Sequence, residues 1–282
     1  MATNQQRREA AKRKLERQLA RRAERARRRR IIGVGVTVGA VVVVAGLVLI
    51  LVTRGDDNAQ ANAPSSSSPA TQDINIPTQR VAAPKRPQPL PNPTTCDYPS
   101  SGEAAKPVDK PKAEAVPSKG TVKVTLKSTA GDIPLELDRS LAPCTVNSFV
   151  SLAQQGYYTD STCHRIGTQG LQMLQCGDPT GSGSGGPGYT VPDELFEGLS
   201  YGRGILAMAN TGAPNTGGGQ FFMVYGDAAL SPDYTVFGTI TDEGLKVIDK
   251  VARAGHDGSF DPQPGGGKPN MDVTFTDVVV KS

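Results

Sequence analysis

The 282-residue chain has no tryptophan, only two histidines and only four cysteines. It contains no HExxH, no GxSxG and no Cys/His cluster at metal-ligand spacing, and no pair of carboxylates stands at a telling interval. Hydrolysis and group transfer ordinarily need a nucleophile with its base, or a metal, so these absences turn the reading away from both. The glycine-rich run GDPTGSGSGGPG, Gly177 to Gly188, lacks the Gly-Lys-Ser/Thr ending of a phosphate loop and no helical pattern follows it, which argues against nucleotide binding. No internal repeat is present.

Charge is distributed unevenly. Residues 1–30 carry thirteen Lys/Arg against Glu9, Glu16 and Glu24, a net +10, so the overall +4 leaves −6 for the remainder. Ile31 to Val52 then form 22 residues without a charge, with Thr37 the one polar side chain. At about 1.5 Å per residue such a helix spans a bilayer core of about 30 Å. This predicts a basic cytoplasmic arm (1–30) and a single transmembrane helix (31–52). Arg27 to Arg30 before the span, against Arg54, Asp56 and Asp57 after it, put the N-terminus in the cytoplasm and the rest outside the cell membrane. A cleaved signal peptide is the competing reading, since Ala61-Asn62-Ala63 has the small-x-small form; the apolar run is longer than an ordinary h-region and the site lies well beyond its end. Beside a membrane span the basic arm reads as a topology signal or a lipid contact rather than a nucleic-acid segment.

From 53 to 118 the chain is rich in Pro, Ser, Ala and Asn, including SSSSPA at Ser65 to Ala70 and PKRPQPLPNP at Pro84 to Pro93. Such composition predicts a disordered linker, stiffened where prolines crowd. The folded unit is expected over 119–282. TVKVTLKS (Thr121 to Ser128) and DIPLELD (Asp132 to Asp138) alternate apolar and polar residues around Ala130-Gly131, a hairpin pattern. A helix is expected over about Pro143 to Gln155 with Val146, Phe149, Val150 and Ala153 on one face, and a second over about Glu243 to Ala254 with Leu245, Ile248 and Val251/Ala252 on one face. Strand patterns recur at Thr162–Ile166, Leu171–Cys176, Ile205–Asn210, Gln220–Tyr225 and Thr235–Thr241, and end with Val273, Phe275 and Val278 to Val280. Eight strands and two helices predict a mainly β fold, a closed eight-stranded antiparallel barrel capped by two helices.

Four segments then stand out in order: His164-Arg165-Ile166, Met173-Leu174-Gln175-Cys176-Gly177-Asp178, Met208-Ala209-Asn210, and Gln220-Phe221-Phe222. Together with the run to Gly238 they resemble the cyclophilins, which catalyse cis/trans rotation about Xaa-Pro peptide bonds; the likeness covers about Val122 to the C-terminus. The resemblance implies Arg165 as catalytic residue, Met173 lining a proline pocket and Gln175 bonding substrate backbone. It also implies Ala209 and Asn210 contacting the bound peptide, Gln220 near the arginine, Phe222 on the pocket floor, Leu230 and Phe237 as further apolar pocket residues, and Tyr234 where the family carries His or Tyr. No metal and no cofactor are implied.

The sequence departs from the family pattern in places. Arg165 to Met173 is two positions longer than usual, Gln172 or Leu171 stands in place of a pocket phenylalanine, and one extra residue lies between Asn210 and Asn215. Ala229 replaces a tryptophan that contributes to cyclosporin binding, which implies only weak cyclosporin binding. The four cysteines allow three pairings. Cys163–Cys176 across one hairpin and Cys96–Cys144 from linker to first helix is the set considered, against four free thiols; simple alternation puts Cys163 and Cys176 on opposite faces, so that pair requires a bulge. The expectation is a membrane-anchored prolyl isomerase acting on proline-containing peptides and proteins outside the cytoplasmic membrane and assisting their folding. A proline-binding chaperone module with little turnover and a structural envelope protein are the alternatives.

Overall fold

The structure, a computed structural model, describes residues 74–281. The basic arm, the apolar run 31–52 and residues 53–73 lie outside these; among the described residues no helix is long and apolar enough to cross a membrane.

The described residues form ten strands and two helices: β1 (Ser100–Ala104), β2 (Thr121–Ser128), β3 (Ile133–Asp138), α1 (Pro143–Gln154), β4 (Arg165–Gly167), β5 (Leu171–Cys176), β6 (Pro187–Tyr189), β7 (Ile205–Met208), β8 (Phe221–Ala228), β9 (Val236–Ile240), α2 (Asp242–Ala254) and β10 (Phe275–Lys281). Eight of them form one antiparallel sheet in the order β10-β2-β3-β9-β7-β8-β5-β4. Val122, Val124 and Leu126 of β2 and Ile133, Leu135 and Leu137 of β3 are buried on its concave side, as period-two alternation requires. Gly131, at φ +132°, closes the hairpin by donating its N–H to the Ser128 carbonyl.

The sheet curls without closing into a continuous barrel. Its edge strands β10 and β4 share no ladder; instead the residues just ahead of them meet at a bridge between Thr162 and Thr274, where Cys163 N donates to Val273 O and Phe275 N to Ser161 O, each at 2.9 Å. The expected closed barrel is therefore a curled half-barrel, because the strand ahead of Arg165 leaves the ladder at His164.

α1 begins with Pro143, whose missing N–H is no loss in a first turn, and buries Val146, Phe149, Leu152 and Ala153, while Val150 is only half-buried. Phe149 meets Tyr158, Phe221 and Phe237 with ring centroids 4.9, 5.2 and 5.5 Å apart; each such pair adds roughly 0.5–1.5 kcal/mol beyond its buried area. α2 is capped by the Thr241 hydroxyl on Gly244 N, carries Asp242 and Glu243 in its first turn, and stops at Gly255 with φ +74°. Its buried stripe is Leu245, Ile248, Val251 and Ala252, and it packs on β3 and β8.

Composition misjudged residues 74–118. They are laid over the folded unit rather than left as part of a disordered linker, so the structured chain begins well before residue 119. Cys96, Tyr98, Val116 and Ser118 are buried, and β1 pairs with β6 as a separate two-stranded sheet. Tyr98 donates its hydroxyl to Cys144 O, receives the Asn147 amide, and sets its ring edge-on to Tyr189. A few well-anchored side chains hold a segment whose average composition is that of a spacer.

Candidate functional site

The ladder register aligns Arg165, Gln175, Phe222 and Ala207 in one row across β4, β5, β8 and β7. Residues directly opposite in neighbouring strands share a face, so this row looks the same way. The next row, Ile166, Leu174, Met223 and Leu206, is fully buried and faces the core. Strand alternation thus separates a site face from a core face one residue apart.

Arg165 is held from three sides. Its Nε donates to Gly265 O at 2.9 Å, one terminal nitrogen to Pro264 O at 2.7 Å and the other to Gln175 Oε1 at 3.4 Å. Partial burial pulls the guanidinium pKa down from its usual value, and Tyr234 opposes this. A guanidinium has five N–H donors, so a fixed cation remains with N–H groups free for a ligand. The Pro264 and Gly265 carbonyls were not legible in advance: they arrive from a loop 99 and 100 residues downstream and act through backbone alone.

Beside the arginine, on the same face of the sheet, lies a group of apolar and aromatic side chains. Met173 pairs with Val224, two residues from Gln175 on the same face of β5, and Phe222 sets its ring perpendicular to Tyr234 at 5.4 Å. Tyr201 anchors that wall, its hydroxyl donating to Tyr234 O and accepting from Tyr234 N. Leu230 is half-buried nearby in sequence to Tyr234 and packs on the edge of the core. Phe237 does not join them: an irregularity in the β7–β9 register turns it inward, where it is fully buried against Phe149. Gln172 does not replace a pocket phenylalanine either. Its amide donates to Asn75 O and accepts from Asp227 N, which fastens the N-terminal segment to β8, and Leu171 is left half-buried on the Met173 side.

A polar rim continues from the arginine. Gln175 Nε2 donates to Gln220 Oε1 at 3.1 Å, and Gln220 Nε2 in turn reaches Gly183 O and Gly185 O. Ala209 N donates to Gln220 O, and Asn210 Nδ2 to Asp233 O, which places both along the opposite lip. The glycine-rich loop is organised by Asp178, whose carboxylate accepts from the backbone N–H of Thr180, Gly183 and Gly185 and from the hydroxyls of Thr180 and Ser182. These donors hold its pKa below the ordinary carboxylate value against the opposing effect of burial. Asp178 stood in the quoted motif without a role; its work is to fix the loop that receives Gln220.

Two disulfides are present, Cys96–Cys144 and Cys163–Cys176. The second lies immediately beside Arg165 and Gln175. The face conflict expected from alternation does not arise, because β4 starts only at Arg165 and Cys163 is bonded to Val273 instead of following the ladder. Among the described residues no group of His, Cys, Asp and Glu side chains is placed to hold a metal ion.

The arrangement offers a fixed cation, adjoining apolar and aromatic side chains, and amide and carbonyl groups along which extended backbone can lie. The family model for "Cyclophilin type peptidyl-prolyl cis-trans isomerase/CLD" matches residues 121–279. The chain is 48% identical over 200 residues to the probable peptidyl-prolyl cis-trans isomerase B of Mycobacterium tuberculosis, covering 66% of this chain and 63% of that protein. It therefore spans somewhat less than two thirds of that relative. Over 297 residues it is 43% identical to the probable peptidyl-prolyl cis-trans isomerase B of Mycobacterium leprae, covering 98% of each chain. Among solved structures, a cyclophilin type peptidyl-prolyl cis-trans isomerase of Cryptosporidium parvum is similar at a TM-score of 0.49 and 32% identity, covering 58% of this chain and 99% of that one.

Proposed function

Because the chain belongs to the cyclophilin-type peptidyl-prolyl cis-trans isomerase family, we propose that it accelerates rotation about Xaa-Pro bonds in polypeptides. The barrier, roughly 18–20 kcal/mol, reflects resonance between the prolyl nitrogen and the preceding carbonyl. A hydrogen bond donated to that nitrogen localises its lone pair and is made only as the bond twists, so it lowers the transition state selectively. Arg165 is the donor: its Nε and one terminal nitrogen are fixed by the Gly265 and Pro264 carbonyls, so little reorganisation accompanies the step. Met173, Phe222, Leu230 and Tyr234 receive the proline ring, and Gln175, Gln220, Ala209 and Asn210 hold the flanking backbone. The reaction forms and breaks no covalent bond and calls for no cofactor. The observation that carries this reading is the single outward row of Arg165, Gln175 and Phe222.

The domain acts outside the cytoplasmic membrane, on exported polypeptides that fold there, with 31–52 as its anchor. The uncharged run, the excess of Arg before it, and two disulfides in the described residues support this placement. A second reading, a proline-binding chaperone with little turnover, is motivated by the Leu171/Gln172 rim, where Gln172 is taken up by Asn75 O and Asp227 N and neither residue offers an aromatic ring.

An exchange-NMR or protease-coupled isomerisation assay on the full chain and Arg165→Ala decides between them. Loss of one preorganised donor is expected to lower kcat/KM about a hundredfold with peptide binding retained. A parent chain that binds Xaa-Pro peptides without accelerating their rotation, or a variant that keeps full activity, overturns the isomerase reading.

A further inference from the structure

A cavity of about 700 Å³ opens next to the polar rim, sharing Gln175, Ala209, Asn210 and Gln220 with it. Its size lies within the roughly 300–1,000 Å³ range of ordinary ligand pockets. One wall comes from outside the family-matched residues 121–279: Ser101, Gly102 and Glu103 of β1. The reason is a register irregularity. Ser100 pairs with Tyr189 and Ala104 with Pro187, so β1 has more residues than β6 between the two pairs, and the excess bulges over the cavity. Gly102, at φ +63°, permits that bend, and Gly188 lets Ala104 pass close on the other side.

Glu103 is the one charged side chain among the residues lining this cavity. The remainder are glycines, hydroxyl-bearing residues, amides, Ala209 and Pro187. The cations nearest in sequence are engaged elsewhere, Lys106 with Gly156 O and Thr159 O, and Lys110 with Tyr98 O and Ser100 Oγ. Among the described residues no ion pair involves Glu103.

We propose that Glu103, supplied by β1 from outside the family-matched residues, makes this cavity selective for a lysine or arginine side chain in the polypeptide flanking the Xaa-Pro bond. The inference rests on the isomerase reading, since it is continuity with the rim that brings substrate to the cavity. The ligand chemistry follows from the walls: carbonyls, hydroxyls and one carboxylate accept hydrogen bonds from a cationic head, and the small residues leave room for its alkyl stem.

The test uses the full chain, a protease-free exchange-NMR assay, and Xaa-Pro peptides carrying Lys, Ala or Glu in turn at each of the three positions on either side of the bond. At one position the Lys peptide is expected to exceed the Ala peptide in kcat/KM by about two- to fivefold, the size of a solvent-accessible ion pair, with the Glu peptide lowest. Glu103→Gln should remove the ranking while leaving the Ala peptide unchanged, Glu103→Lys should invert it, and 1 M salt should flatten it in the parent. A ranking that survives Glu103→Gln, or no ranking at any position in an active enzyme, overturns the inference. Failure to isomerise any of the peptides overturns the isomerase reading itself, and the inference with it.

Discussion

His164 precedes the catalytic candidate and carries an electrostatic liability. Its ring is buried, neither nitrogen has a hydrogen-bond partner, and the imidazole lies close enough to Gly183 that a Cβ there would come within 3.2 Å of Cδ2. Burial lowers its pKa below the usual 6.5; Asp178 pulls the other way and Arg165 adds to the lowering. The folded chain thus resists a proton that the unfolded chain accepts. By linkage, stability from this group is fully present above the unfolded value of about 6.5 and is lost as pH falls toward the lower folded value. His164→Gln should therefore weaken the dependence of the urea midpoint on pH between 7.5 and 5.5, and parallel curves for parent and variant would remove His164 as the cause.

At the scale of elements, α1 shows what local sequence can and cannot announce. Its first turn contains no acidic residue, and Ala142 at the N-cap has no side chain to offer. The cap comes from Glu194, fifty positions on, whose carboxylate accepts from Cys144 N, Thr145 N and the Thr145 hydroxyl at 3.0, 2.8 and 2.7 Å. Arg86 secures the same corner, donating to Leu141 O and Glu194 O with its guanidinium 4.6 Å from the centre of the Phe196 ring. Removing the cap in Glu194→Ala should destabilise the fold by about 1–2 kcal/mol; Glu194→Gln, which keeps an acceptor, should lose less. A chemical-denaturation difference for the alanine variant within about 0.5 kcal/mol of the parent, the range of a neutral surface change, would show the helix to be indifferent to it.

The contrast explains what was legible. The β2–β3 hairpin, β5, α2 and its buried stripe come from periodicities that close over a few residues, and their bounds are read almost as found. Arg165, Gln175 and Phe222 are singled out by short motifs in the sequence, and the ladder register brings the three into one row. What escaped notice was non-local: the Glu194 cap, the carbonyls behind Arg165, and the β1–β6 pair, whose partners lie more than eighty residues apart. Phe237 was placed wrongly because an irregular register, not its own sequence, decides which way it faces.

Across the whole molecule, the segment from Ile74 to Lys119 is a strap over the folded unit and one wall of its cavity. It begins at Asn75 beneath Gln172, crosses Arg203 through Val81, is fastened by Arg86, and contributes one side of the cavity. Its covalent tie falls late, at Cys96–Cys144. That location determines how tension would travel through the protein. A pull applied at the N-terminal end peels the segment only as far as Cys96 and then passes through the sulfurs straight to α1. β2 and β3, which lie between the bonded positions, are bypassed by the load. With the bond intact, a single-molecule stretching trace should lack the length stored over that separation of 48 residues, roughly 170 Å at about 3.5 Å per residue, and a reductant should restore it together with the shorter length closed by Cys163–Cys176. A trace of equal length with and without reductant would mean that the bond carries no load. A chain pulled from one end thus has a mechanical stop built in ahead of its first hairpin, and the residues between the two sulfurs stay out of the load path for as long as that bond holds.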